Sequence, residues 1–342
     1  MQELNVGQLH VGLIGAGRIG RVHAGNLAYR IPEASLVAVS DIFVEAAEGL
    51  AAELGVTAYQ DHRRILEDQD IDAVLICSST DTHAQFIEDA AEAGKQVFCE
   101  KPIALDLGEI DSALAAVKRA GVKLQIGFNR RFDPSFKRVQ EIVAAGEIGE
   151  PQMLRITSRD PAPPPIEYVR VSGGIFLDMT IHDFDMARFL MGREIESVYA
   201  AGEVLVDPAI GQAGDVDTAV ITLRFVNGAL GVIDNSRQAV YGYDQRVEVF
   251  GSGGLVTADN DYPNSARISD AQRVHRDLPL NFFMERYTES YVNEIRAFVE
   301  CIIQDTLPPV TGLDGCIPVI MGYAAEKSLA EGRPVRLDEI GA

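Results

Sequence analysis

The segment Gly15-Ala16-Gly17-Arg18-Ile19-Gly20 follows a short apolar run and opens a helical pattern that continues to Arg30. A G-x-G-x-x-G string alone says little. Placed between a strand and a helix, it has the context of a dinucleotide-binding turn. Gly15 permits the tight turn, Gly17 lets the backbone approach a pyrophosphate, and Gly20 lets the helix pack on the strand. The helix start at Arg18 and Ile19 then offers free N–H groups and a positive dipole end to the phosphates. The other reading is a glycine-rich turn without a ligand.

Short apolar runs and helical patterns alternate through the first third of the chain. Strands are expected over 9–14, 36–40, 73–77, 96–99 and 123–127, and helices over 19–30, 46–54, 83–93 and 108–120. Apolar strands separated by helices imply a parallel sheet covered on both faces. The rhythm changes near Asn129. A helix over 135–145 leads into period-two alternation over 152–158, 195–205, 218–225 and 245–250. Asn227-Gly228 marks a hairpin whose turn residues both accept positive φ. Two helices, near 286–304 and 313–329, close the chain. The expected fold is α/β plus α+β. An N-terminal Rossmann domain over 1–128 precedes an open, mostly antiparallel sheet domain over 129–342.

The net charge of -21 disfavours nucleic acid and anionic membranes as partners. No run approaches the roughly 20 apolar residues that span a bilayer, and the N-terminal residues do not read as a signal peptide. The four cysteines, Cys77, Cys99, Cys301 and Cys316, lack zinc-site spacing. A reduced, cytoplasmic setting is expected.

Asp41 ends the second strand, 21 residues after Gly20. An acid there accepts hydrogen bonds from the adenosine ribose and repels a 2′-phosphate, so the expected cofactor is NAD rather than NADP. A surface acid capping a helix is the other reading. Ser78-Ser79-Thr80 follows the third strand, where ligands bind in open parallel sheets, although these residues also serve as helix caps. Glu100-Lys101-Pro102 follows the fourth strand. Lys101 in a cleft can stabilise a developing alkoxide, whereas an ordinary lysine is a solvated charge. The run from Gly173 to Leu190 reads as one helix that is apolar nearly all round. It carries Asp178 and His182 at i, i+4 and Asp185 one turn on. Buried ionisable groups need partners or a function. His182 can take the proton of an alcohol, with Asp178 orienting substrate or raising the basicity of His182. A structural Asp–His hydrogen bond is the alternative. His83 lies near the cofactor crevice, while His10, His23 and His275 show no cluster. No third metal ligand joins Asp178 and His182, so no metal is expected.

These motifs together resemble the family of glucose–fructose oxidoreductases and inositol dehydrogenases, over essentially the whole chain. The resemblance is carried by the glycine loop, Glu100-Lys101-Pro102, Gly127-Phe128-Asn129-Arg130-Arg131-Phe132 and the segment with Asp178 and His182. The stretches 158–186 and 235–246 are similar to its inositol 2-dehydrogenase branch, which serves inositol catabolism. The resemblance implies Lys101, Asp178 and His182 as the catalytic group, with His182 as general base in oxidation of myo-inositol to a keto-inositol. It implies polyol contacts from Asp160 and Tyr241. It also implies a homotetramer or dimer built on the outer face of the second sheet. The expected cofactor contacts are Gly15, Gly17, Arg18, Ile19, Gly20, Asp41, Ser78, Ser79, Thr80, His83, Glu100, Lys101 and Asn129. Two rivals stand beside this reading: a dehydrogenase of another sugar or anhydro sugar, and a nucleotide-binding sensor without catalysis.

Overall fold

A computed structural model of the chain describes residues 8–341. The described chain forms two compact units. The first runs to Asn129 and takes in Glu289–Cys316, and the second is Arg130–Thr288 with the chain from Ile317 on.

The first unit begins β1 (Leu9–Ile14), α1 (Arg18–Arg30), β2 (Ala34–Ser40), α2 (Val44–Leu54), β3 (Thr57–Tyr59), α3 (Arg63–Leu66) and β4 (Ala73–Ile76). It continues α4 (Thr80–Glu92), β5 (Gln96–Glu100), α5 (Leu107–Ala120) and β6 (Leu124–Gly127). Its sheet has the order β3-β2-β1-β4-β5-β6, every pair parallel. All four residues of β4 are buried, as a strand covered on both faces must be. The strand order reverses between β1 and β4, where open parallel sheets hold their ligands. The edge strand β3 and the one-turn α3 were not expected. Three partly exposed residues carry too little apolar pattern to register as a strand.

The first unit recruits more chain than the expected cut near 128 assigns to it. Helix α12 (Thr288–Ile303) sends Ile295, Phe298, Val299 and Cys301 into the core formed by Val11, Leu13, Leu27, Leu36 and Leu75. An amphipathic pattern states that a face is buried but not which sheet it covers.

The second unit contains α6 (Pro134–Ala144), β7 (Pro151–Arg159), α7 (Ile166–Val169), α8 (Gly174–Asp178), α9 (Thr180–Met191), β8 (Ile195–Glu203), α10 (Pro208–Gln212), β9 (Thr218–Phe225) and β10 (Leu230–Ser236). After these come β11 (Asp244–Gly251), β12 (Gly254–Ala258), β13 (Arg267–Ser269), β14 (Val274–Arg276), α11 (Phe283–Arg286), most of α13 (Gly312–Glu331) and β15 (Val335–Arg336). The main sheet has the order β12-β11-β7-β10-β9-β8-β15 and is antiparallel except for the β7–β10 pair. Strand β9 shows the alternation plainly: Ala219, Ile221, Leu223 and Phe225 are buried, while Val220 and Arg224 face out. The β9–β10 hairpin forms where Asn227-Gly228 placed it, but by a different turn. Only Gly228 has positive φ, at 87°. Asn227 instead accepts the Ala229 N–H on its side chain, and Phe225 N–H donates to Ala229 O across the loop.

The expected single helix from Gly173 to Leu190 is two. Met179, at φ -94° and ψ -58°, separates α8 from α9. Asp178 therefore ends one helix and His182 lies in the first turn of the next, so their i, i+4 spacing does not put them on one regular helical face.

Phe298 is completely buried in the first unit's core. Phe298→Ala is expected to cost about 3–5 kcal/mol through lost burial and the cavity left behind, read as a lower denaturant midpoint for the transition of that unit.

Candidate active site

Three glycines shape the loop after β1, each for its own reason. Gly15 has φ 103°, and a Cβ there would lie 2.5 Å from the Cys77 carbonyl carbon. A Cβ on Gly20 would lie 2.0 Å from Gly15 O. At Gly17 neither constraint holds: φ is -69°, and a Cβ would have no neighbour within 4 Å. The bare backbone at Gly17 therefore answers no packing need of the chain itself, which suits the close approach of a pyrophosphate. Helix α1 begins there without a side-chain cap and without an acid in its first turn, leaving its positive end open to an anion. Arg18 is exposed, while the Ile19 side chain packs on the core, so Ile19 offers its backbone. Asp41 ties this loop to the end of β2, its carboxylate accepting the Ala16 N–H at 2.8 Å and the Phe43 N–H at 2.9 Å. This arrangement fits a dinucleotide.

Around the ends of β4 and β5 the expected residues divide by role. Ser78 Oγ bonds Thr82 Oγ1 at 2.7 Å. Ser79 begins α4 without capping it, and Thr80 is the first helical residue. His83 is buried, with Nδ1 2.8 Å from Pro102 O and Nε2 3.1 Å from Ser78 O. The ring thus lies between the carbonyls of the Ser78 loop and of the turn after Lys101, and its single N–H in the neutral form donates to one of them. Burial lowers its pKa, which keeps the ring neutral. Lys101 is half-buried and precedes Pro102. Asn129 is buried with Nδ2 unpartnered among the described residues. The carboxylate of Glu100 turns inward to His23, with Oε1 2.7 Å from Nε2. His23, expected to have no cluster around it, thus sits with Glu100 and Glu294.

In the second unit, Arg237 gathers two of the expected acids. Its Nη1 donates to Asp178 Oδ2 at 3.0 Å and lies 3.6 Å from Asp160 Oδ2. Tyr168 donates its hydroxyl to Asp178 Oδ1 at 2.8 Å. Burial pushes the Asp160 carboxyl up to about 6, with Arg237 opposing and Asp178 adding to the rise. Burial and Asp178 together raise the Tyr168 phenol. His182 is half-buried on α9. Tyr241 has its hydroxyl engaged elsewhere, donating to Asp244 at 2.5 Å and accepting from Arg159 at 3.1 Å. Asp185, read as facing the same way as Asp178 and His182, is fully buried against Arg131 at 2.6 Å.

Sequence reasoning missed Tyr168 and Arg237. A signal for Arg237 was present: Ile233, Asn235 and Arg237 hold alternate positions leading out of β10, and all three are buried. Nothing in the pattern around Tyr168 marked it.

Residues 9–128 match the family profile described as "Oxidoreductase family, NAD-binding Rossmann fold", and residues 136–257 match "GFO/IDH/MocA C-terminal domain". The chain belongs to the GFO/IDH/MocA oxidoreductase family. It is 54% identical over 333 residues to the myo-inositol 2-dehydrogenase of Thermotoga maritima, covering 97% of this chain and 99% of that one. It is 48% identical over 326 residues to the inositol 2-dehydrogenase of Rhizobium meliloti, covering 95% and 98%. The crystal structure of scyllo-inositol dehydrogenase from Lactobacillus casei with bound NAD(H) and scyllo-inositol superposes with a TM-score of 0.91 at 31% identity, covering 97% of this chain and 100% of that one. As a GFO/IDH/MocA oxidoreductase, the chain carries an NAD-binding Rossmann domain. No described helix is long and apolar enough to cross a membrane.

The open space at Gly17 gives a clean test. Gly17→Ala is expected to leave the melting midpoint of the cofactor-free protein nearly unchanged. It should raise the Kd for NAD, measured by calorimetry, by about tenfold, a loss of about 1.4 kcal/mol.

Proposed function

We propose that this oxidoreductase oxidises a ring hydroxyl of myo-inositol, or of a close isomer, to a keto-inositol with NAD as the acceptor. The observation that carries the reading is the likeness, over 97% of the chain, to a dehydrogenase named for that substrate. The residues that the chemistry needs are present in the same chain.

When bound, NAD supplies a nicotinamide ring that accepts hydride from the carbinol carbon. Asp41 accepts hydrogen bonds from the adenosine ribose, and the α1 N-terminus holds the pyrophosphate. His182 takes the proton of the reacting hydroxyl as general base, a role worth about 10²–10⁴ in rate. Lys101 donates to the same oxygen and stabilises its developing charge. Asp178 and Asp160 accept hydrogen bonds from neighbouring hydroxyls, and Tyr241 adds a polar contact. Arg237 orients the Asp178 carboxylate. A site that pairs each hydroxyl rejects an analogue by leaving its own buried groups unpaired.

A second copy of the chain is the proposed partner of the outer sheet face, giving a dimer or tetramer. Leu255, Phe250, Met153 and Leu230 are cross-strand neighbours in one row, and each is 43–53% exposed. Such an apolar stripe is the kind of surface that association covers. The four cysteines are free and buried, which suits a cytoplasmic setting.

Incubation with NAD and a panel of inositols and sugars should yield reduced cofactor with myo-inositol or a close isomer. His182→Ala should lower kcat by about 10²-fold or more. NAD binding without turnover of any polyol would point to a sensor. Turnover of a pyranose or anhydro sugar alone would move the substrate outside the inositols.

A pH dependence follows from Asp160. Its carboxyl is held at about 6, above the ordinary 3.8, so the neutral form dominates below about pH 6 and the acceptor is lost there. The KM for the polyol should therefore rise as pH falls through about 6, and Asp160→Asn should remove that acid-side dependence at the cost of a higher KM throughout. A wild-type KM that stays flat from pH 5 to 8 would rule Asp160 out as an acceptor.

A further inference from the structure

Beneath the turn that carries Lys101 lies a closed polar cluster that the proposed reaction does not use. His23, from the buried face of α1, and Glu294, from α12, are each 0% exposed, and the Glu100 side chain at the end of β5 is 12% exposed. His23 Nε2 is 2.7 Å from Glu100 Oε1 and 3.8 Å from Glu294 Oε1. The imidazole is held edge-on by Phe98 and Tyr291, with ring centroids 5.3 Å and 5.8 Å away. Both oxygens of Glu294 and the His23 Nδ1 are buried without a hydrogen-bond partner among the described residues. Gly127 makes room for the other Glu100 oxygen, since a Cβ there would stand 3.0 Å from Oε2.

Two carboxylates facing one imidazole out of water cannot both be ionised at modest cost. A metal ion is one way to join them, but the spacing is wrong for it. Two ligand atoms at about 2.0–2.1 Å from a tetrahedral ion sit about 3.3 Å apart, whereas His23 Nε2 and Glu100 Oε1 are at hydrogen-bond distance.

We propose that His23 and Glu294 are positioning residues for Lys101. Together with Glu100 they form a buried triad, two acids at one imidazole nitrogen, that fixes the peptide leading into Lys101. This rests on the reading of Lys101 as the group that donates to the reacting oxygen. The His23 N–H donates to the Glu100 carboxylate, which clamps the last residue of β5. Glu294 approaches the same nitrogen from 3.8 Å as the neutral acid. Burial and the nearby Glu100 both push its pKa up. Cys77, Cys99 and His83 are other titratable groups close enough to feel Glu100. Burial raises both thiols and lowers the histidine, so those three stay uncharged.

Glu294→Leu tests this without depending on a fragile fold, because it replaces an unpartnered buried acid with an apolar group of similar size. A purely structural role predicts an equal or higher melting midpoint and wild-type kinetics. The positioning role predicts the same midpoint behaviour with kcat for the polyol lowered about tenfold or more, as displacement of a reacting group by a fraction of an ångström does. It also predicts a KM for NAD within about twofold of wild type, since 1.4 kcal/mol would be tenfold, and an altered alkaline limb of the kcat–pH profile. Glu294→Gln, which keeps a donor in place, should recover most of the lost kcat, and His23→Gln should reproduce the Glu294→Leu kinetics. Infrared spectroscopy reads the triad without turnover: a protonated carboxyl band at pH 7 should be present in the wild type and missing in Glu294→Gln. An enzyme with that band but no polyol turnover leaves the triad standing and refutes the proposed function. Loss of the band's assignment to Glu294, or a folded Glu294→Leu with wild-type kcat and pH profile, overturns the triad.

Discussion

Asp183 and Asp185 are completely buried on a helix of which ten residues are buried. Isolated carboxylates in such a place cost several kcal/mol each. The second unit answers with Arg130 and Arg131, consecutive in the chain, whose guanidiniums meet Asp183 and Asp185 at 2.6 Å each. Asn235 adds an amide donor to Asp183 at 2.8 Å, and Thr180 hydrogen-bonds Asn235 in turn. Removing one member of a buried pair costs about 3–5 kcal/mol because the other charge is stranded. The position of α9, and with it His182, depends on these pairs: two carboxylates lock the helix to β10 and to the chain leaving the first unit.

The same economy governs the first unit at its glycine loop. Close contact between Gly20 and Gly15 O leaves no freedom in how α1 meets β1. The Asp41 carboxylate then holds Ala16 from the side, while the His83 ring lies between the carbonyls of two loop ends. Most motif residues are thus accounted for by the fold's own needs. Gly17 is the exception, and an exception of that kind marks the place where a ligand, not the chain, demands the residue.

The parallel sheet was legible because β1, β2, β4, β5 and β6 are continuous apolar runs between amphipathic helices, and both periods are written locally. The Asn227-Gly228 hairpin was legible for the same reason, although not its turn type, since Gly228 alone supplies the positive φ. Asp178 and His182 were visible as ionisable residues in an apolar segment. Their presumed place on a single helix gave way at Met179, and Asp178, the last residue of α8, hydrogen-bonds Tyr168 and Arg237. The resemblance implied Glu100 and His83 as cofactor contacts without saying which way their side chains turn. Side chains alternate along a strand, and their direction depends on what lies beneath, which for Glu100 is His23 and Gly127.

By itself the sequence determined the alternation of strands and helices, the glycine loop with Asp41 after the second strand, and the residue types capable of hydride-linked proton chemistry. These rest on interactions among near neighbours in the chain. The tertiary structure decided that Glu289–Cys316 belongs to the first unit, that Arg237 joins Asp160 to Asp178, and that His23, Glu100 and Glu294 share one closed site. Each of these joins segments tens to hundreds of residues apart. Burial forces such groups to find partners, but only the packed chain settles which partners they find.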